Sequence, residues 1–186
     1  DNDGDLDLSV MSYVGPVDAQ QPMNALFRND GAKGFVNVLN KDSQLNVGDH
    51  GVQFVDFDRD GGLDMSITRG YTASGGHFLF RNTLPDSVKA HSLSVDVLDA
   101  AGHHTRFGAE VRLRDAGGRV VATRLVPAGG GYNSQGAGPV HVGLTSTNPV
   151  TVDVTFMSKT GRKTQTMRNV SPAAYRGRSL VIREGR

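Results

Sequence analysis

Asp56-Phe57-Asp58-Arg59-Asp60-Gly61-Gly62-Leu63-Asp64 is the stretch from which the rest of the chain can be read. Its carboxylates fall at loop positions 1, 3, 5 and 9, and a glycine stands at position 6. Acidic residues at alternate positions aim their oxygens into one hollow while the chain turns, and the glycine allows a backbone conformation that a Cβ resists. An all-oxygen donor set suits Ca²⁺. Four like charges held this close repel strongly without a cation. An EF-hand would carry a carboxylate at position 12 between helices, but position 12 is Ile67. The flanks 51–55 and 63–67 alternate as strands do. The loop is therefore expected to join two strands and to bind calcium. A metal-free Asp/Gly hairpin turn is the plainer alternative, but a turn needs one or two such residues, not four in register.

The pattern recurs at the start of the chain. Asp1-Asn2-Asp3-Gly4-Asp5-Leu6-Asp7 aligns when Gly4 is set on Gly61, a period of 57 residues. Asp1, Asp3 and Asp7 then match Asp58, Asp60 and Asp64, and the partner of Asp56 falls before the chain begins. The first loop, with Asp1, Asp3, Asp5 and Asp7 as candidate ligands, is expected to be incomplete and weak. A second marker agrees, because Leu26-Phe27-Arg28-Asn29 returns as Leu79-Phe80-Arg81-Asn82 at an offset of 53. With a further strand at 34–38, four short strands per unit are expected, the content of one β-propeller blade.

These loops and the Leu-Phe-Arg-Asn marker resemble the FG-GAP/VCBS repeat family, found in integrin α-subunit propellers and in bacterial secreted proteins. The resemblance implies blades with calcium between the first strands. It makes Asp56, Asp58, Asp60 and Asp64 side-chain ligands and the carbonyl of Gly62 a fifth. A propeller needs four to eight blades, whereas residues 1–88 hold about one and a half. The expectation is the C-terminal part of a longer propeller, with an unpaired sheet edge open to self-association.

Composition supports an all-β reading: 186 residues with 24 glycines, 6% aromatics, no cysteine and no tryptophan. Disulfide and thiol chemistry are excluded, and no apolar run is long enough to cross a membrane. A net charge of +1 hides an asymmetry. Residues 1–90 hold 7 Lys/Arg against 13 Asp/Glu, and residues 91–186 hold 13 against 6. The basic half could draw an anionic partner such as a polysaccharide, although arginines scattered over strand faces commonly serve solvation alone. No nucleic-acid partner is expected.

From residue 89 onward the pattern changes to seven alternating segments: 92–98, 109–114, 120–126, 140–144, 150–156, 164–167 and 179–182. They predict an antiparallel two-sheet sandwich. Phe107-Gly108-Ala109-Glu110-Val111, Gly129-Gly130-Gly131-Tyr132-Asn133-Ser134-Gln135, Val140-His141-Val142-Gly143-Leu144 and Arg168-Asn169-Val170 resemble the ASPIC/UnbV domain, which commonly follows FG-GAP/VCBS repeats. That family is named from cartilage acidic protein and from genes of enediyne antibiotic clusters, and its name fixes no activity. Where it usually carries Trp-Pro-Ser-Gly, this chain has Met157-Ser158-Lys159-Thr160-Gly161.

No zinc helix, nucleophile elbow or phosphate loop occurs, so no catalytic residue is assigned. His103 and His104 are adjacent and His141 lies between valines, neither of them a ligand pattern. Tyr132, Asn133, Ser134 and Gln135, framed by glycines, form a candidate recognition loop, or else a turn packed on the sandwich. The expected role is a calcium-binding interaction or adhesion module, secreted, periplasmic or on the cell surface, with a protein or glycan partner. Alternatives are an accessory, product-binding or enzymatic role in a natural-product pathway such as enediyne biosynthesis, and polysaccharide binding.

Overall fold

The computed structural model describes residues 1–12, 24–40, 42–43, 49–69, 76–132, 134–136, 138–159 and 161–185. The first half forms two antiparallel three-stranded sheets. One contains β1 (Leu8–Val10), β2 (Ala25–Asn29) and β3 (Phe35–Asn37) in that order. The other contains β4 (Asp49–Val55), β5 (Asp64–Arg69) and β6 (His77–Phe80). The second acidic loop is the hairpin between β4 and β5, whose ladder runs down to Val55↔Asp64.

Among the described residues each sheet has three strands, not the four expected per unit. At the place of β3 in the second unit stands a short helix, α1 (Asp86–Lys89), with Pro85 as its N-cap residue. Proline has no N–H to give to a ladder and pre-sets the φ of a helix start.

The two units share their backbone turns at the 57-residue offset. Asn2 (φ 63°) matches Arg59 (φ 59°), and Gly4 (φ 98°) matches Gly61 (φ 95°). They differ in burial. Met65 and Ile67 of β5 are buried, whereas Leu8, Val10, Phe35 and Val36 of the first sheet are exposed.

The second half holds all seven expected strands: β7 (Ser92–Leu98), β8 (Glu110–Arg114), β9 (Val120–Leu125), β10 (Val140–Gly143), β11 (Val150–Ser158), β12 (Gly161–Val170) and β13 (Leu180–Arg183). They form a three-stranded sheet, β10-β7-β13, and a four-stranded one, β12-β11-β8-β9. Burial alternates residue by residue along β7, β8, β10 and β11, as a strand with one inward face requires. The inward residues of both sheets make one core. Val95, Val111, Leu113, Val142, Val152, Val154 and Phe156 in it are fully buried, each such side chain stabilising the fold by about 1.5–3 kcal/mol.

The sandwich is not antiparallel throughout, because β13 pairs parallel with β7. β12 ends at Val170, and residues 171–179, with a 3-10 turn at Pro172–Tyr175, carry the chain across to the opposite sheet. That crossover lays β13 along β7 in the same direction, where Leu180 and Ile182 close the core.

β12 is longer than the periodicity indicates, because it pairs with β11 from Ser158↔Gly161 to Val150↔Val170. A bulge near its end places Asn169 at φ 56°, a conformation asparagine tolerates. The hairpin tip leaves Met157 exposed.

Both acidic loops seat against one end of the β10-β7 sheet. A Cβ on Gly61 would stand 2.4 Å from the Lys89 carbonyl and 2.8 Å from Ser92 Oγ, and one on Gly143 would stand 2.9 Å from Asn2 Cα. Ser92 and Gly143 are themselves a cross-strand pair. The joint is backbone against backbone, which is why glycine stands at those points.

Candidate metal centre

The loop between β4 and β5 brings one carboxylate oxygen from each of Asp56, Asp58 and Asp64 within 4.8 Å of one another. No other trio of His, Asp or Glu among the described residues comes so close. Backbone amides organise the loop. Asp56 accepts from the N–H groups of Asp60 (3.0 Å) and Gly61 (3.0 Å), and Asp60 Oδ1 accepts from Gly62 (2.9 Å). Asp64 is almost wholly buried and binds amides with both oxygens, from Phe57 (3.1 Å) and Asn82 (2.7 Å).

Asp60 stands outside the trio. Its Oδ2 is taken by the ammonium of Lys89, a buried side chain delivered by α1, and by Arg81 Nη2 at 3.3 Å. Arg81 Nε also reaches Asp58 Oδ2 at 2.7 Å. The charge repulsion inferred from the sequence is thus partly met by two cations of the chain itself. Burial alone would raise the Asp60 carboxyl, but Lys89, the Gly62 amide and Arg81 together hold it below the ordinary carboxylate value. Asp56 lies above that value, because its burial outweighs the amides of Gly61 and Asp60. Lys89 is a site residue that sequence reasoning missed. Its only local signal is the proline-started turn that carries it.

The first loop repeats this hydrogen bonding. Asp3 N–H donates to Asp1 (3.2 Å) as Asp60 does to Asp58 (3.3 Å), and Asp5 N–H donates to Asp3 as Gly62 does to Asp60, both at 2.9 Å. Asn29 N–H donates to Asp7 (2.9 Å) as Asn82 does to Asp64. The side chain of each asparagine then accepts an amide two residues on, from Gly31 or Leu84. This accounts for the Phe-Arg-Asn marker: the asparagine ties the end of the last strand to the final aspartate of the loop. Asp1, Asp3, Asp5 and Asp7 are not gathered as the second trio is.

Asn2 links the two loops to the sandwich. Its Nδ2 donates to the Gly61 carbonyl (2.8 Å), which leaves Oδ1 facing His141 Nε2 (3.1 Å). Nδ1 of His141 is buried without a partner. Burial, reinforced by the Arg124 charge, pulls the His141 pKa down to about 4.

The proposed recognition loop is partly docked. Ser134 Oγ lies 3.2 Å from the Val52 carbonyl and 2.5 Å from Gln53 Oε1. The side chain of Gln53 runs so close to Gly130 and Gly136 that a Cβ on either would clash with it. The glycine run is therefore a seat for β4. Tyr132 is exposed, Gln135 faces a cleft beside the loop, and Asn133 lies outside the described residues. His103 and His104 sit in a loop, beside Asp99 (3.7 Å) and Asp96 (3.9 Å) respectively.

Residues 100–185 match the protein family described as ASPIC and UnbV. The sandwich from β8 through β13 thus carries an ASPIC/UnbV domain. No curated protein matches the chain. No helix among the described residues is long and apolar enough to cross a membrane.

Proposed function

We propose that the chain is part of a calcium-stabilised repeat protein of the FG-GAP/VCBS type. Residues 1–88 belong to its blades and residues 89–186 form an ASPIC/UnbV sandwich. The whole acts as an interaction module outside the cytoplasm, toward a protein or glycan. One observation carries the reading: two loops 57 residues apart share their left-handed turns and their carboxylate-to-amide hydrogen bonds.

Such loops keep aspartates together at a cost in repulsion. In the second loop three carboxylates converge with oxygen lone pairs still available. That donor set fits a hard dication. Asp56, Asp58 and Asp64 would hold it, and the bound ion would offset their mutual repulsion. The exposed apolar residues of the first sheet, Leu8, Val10, Phe35 and Val36, are the kind of surface that a neighbouring blade covers.

Calorimetric titration tests the metal part. Uptake of Ca²⁺ at millimolar concentration or below is expected, with about tenfold or greater weakening in Asp58→Asn. Absence of uptake by the intact chain would remove the basis for this function.

A further inference from the structure

A cleft of about 690 Å³ opens between the second acidic loop and the sandwich. One wall is β4 with the loop, the other is formed by the ends of β9 and β10 and by residues 175–179, and Ser92, Ser94 and Asp96 of β7 also line it. Its size falls within the range of small-molecule sites, which lie preferentially where two structural units meet.

The charge on its walls is unbalanced. Arg59, Arg124, Arg176 and Arg178 line it, and none has a carboxylate partner among the described residues. Elsewhere on the sandwich Arg106, Arg112, Arg114 and Arg119 each hold one. Three carboxylates share the cleft walls: Asp60 is engaged by Lys89 and Arg81, Asp56 by the amides of Asp60 and Gly61, and Asp96 lies 3.9 Å from His104 Nδ1.

Arg124 is the most buried of the four. It lies on β9 at the parity of buried Ala122, is half-buried itself, and donates to the carbonyl of Thr123 (3.0 Å). Its titratable neighbour from β10 is His141, which offers no negative charge at any pH. A half-buried guanidinium in this position retains donor capacity for an anion. Phe57, Pro139 and Tyr175 supply apolar and ring surface to the cleft, and Arg178 stays over Tyr175 at 5.3 Å, held by the Ala174 carbonyl.

We propose that this cleft binds a small organic anion, a ring-bearing carboxylate or sulfate whose charged group is anchored by Arg124 and whose ring faces Phe57 and Tyr175. The inference goes beyond the calcium reading, because Arg124, Arg176 and Arg178 lie outside the acidic loop.

Calorimetry on the intact chain tests it, run both in calcium and in chelator with three probes: 2-naphthoate, a sulfated heparin disaccharide and neutral cellobiose. The expected result is saturable one-to-one binding of an anionic probe and none of cellobiose. Affinity should fall about tenfold or more in Arg124→Gln and stay unchanged in Arg162→Gln on β12. Preference for the disaccharide assigns the anion to an acidic glycan, and preference for naphthoate assigns it to a free small acid. Arg176→Gln, an exposed position, serves if Arg124→Gln does not fold. The proposal is overturned if neither anion binds, if cellobiose binds equally well, or if Arg162→Gln weakens binding as much as the cleft variants do.

Discussion

At the scale of single residues, two glycines with similar backbone angles separate strain from collision. Gly61 (φ 95°) and Gly118 (φ 81°) are both left-handed, but a Cβ meets nothing within 4 Å at Gly118 and meets the Lys89 carbonyl at 2.4 Å at Gly61. Gly118→Ala should cost about 1 kcal/mol, and Gly61→Ala about 3 kcal/mol or more. Urea unfolding midpoints give both. His141 makes a second prediction. Its folded pKa near 4 lies below the ordinary value of 6.5, so between those values the unfolded chain holds a proton that the native state refuses. Stability should therefore fall as pH drops from 6.5 toward 4, by about 3 kcal/mol. His141→Leu should flatten that part of the stability-against-pH curve.

At the scale of elements, the acidic hairpin and the core strands make different demands. Asp64 is both candidate ligand and structural acceptor. Asp64→Ala strands the amides of Phe57 and Asn82, and should destabilise the chain by about 1–3 kcal/mol even in chelator. Asp58→Asn, at an exposed position, should change metal-free stability by less than about 1 kcal/mol. In the core, Phe156→Ala should cost about 3–5 kcal/mol, read as a lowered denaturant midpoint at unchanged slope. The acidic loops and β7, β8 and β11 were legible in the sequence because their information is local: closely spaced aspartates in one case, strict apolar alternation in the other. The direction of β13 was not, since a period of two is the same for parallel and antiparallel neighbours. Neither was the pairing of Lys89 with Asp60, which spans 29 residues and rests on a four-residue helix too short to show a period.

At the scale of the whole molecule, polar side chains among the described residues join the repeat region to the sandwich: Asn2 between Gly61 and His141, Ser134 against Val52 and Gln53, and Lys89 within the second loop. Gln53→Ala removes the side chain around which Gly130 and Gly136 are fitted. Amide hydrogen exchange should then speed up across 128–136 and leave β11 protected, and equal acceleration in both would contradict a local latch.

The contact of Gly61 and Gly143 on their neighbours' main chain has one further consequence. Hinge and shear motions need a layer that can yield, either side chains changing rotamer or loop residues absorbing a change in dihedral angle. Where main chain rests directly on main chain, no such layer exists. The two walls of the cleft should accordingly hold their separation whether or not a guest is present. Association would then be a single step whose observed rate rises linearly with guest concentration, without the plateau that a closing motion imposes.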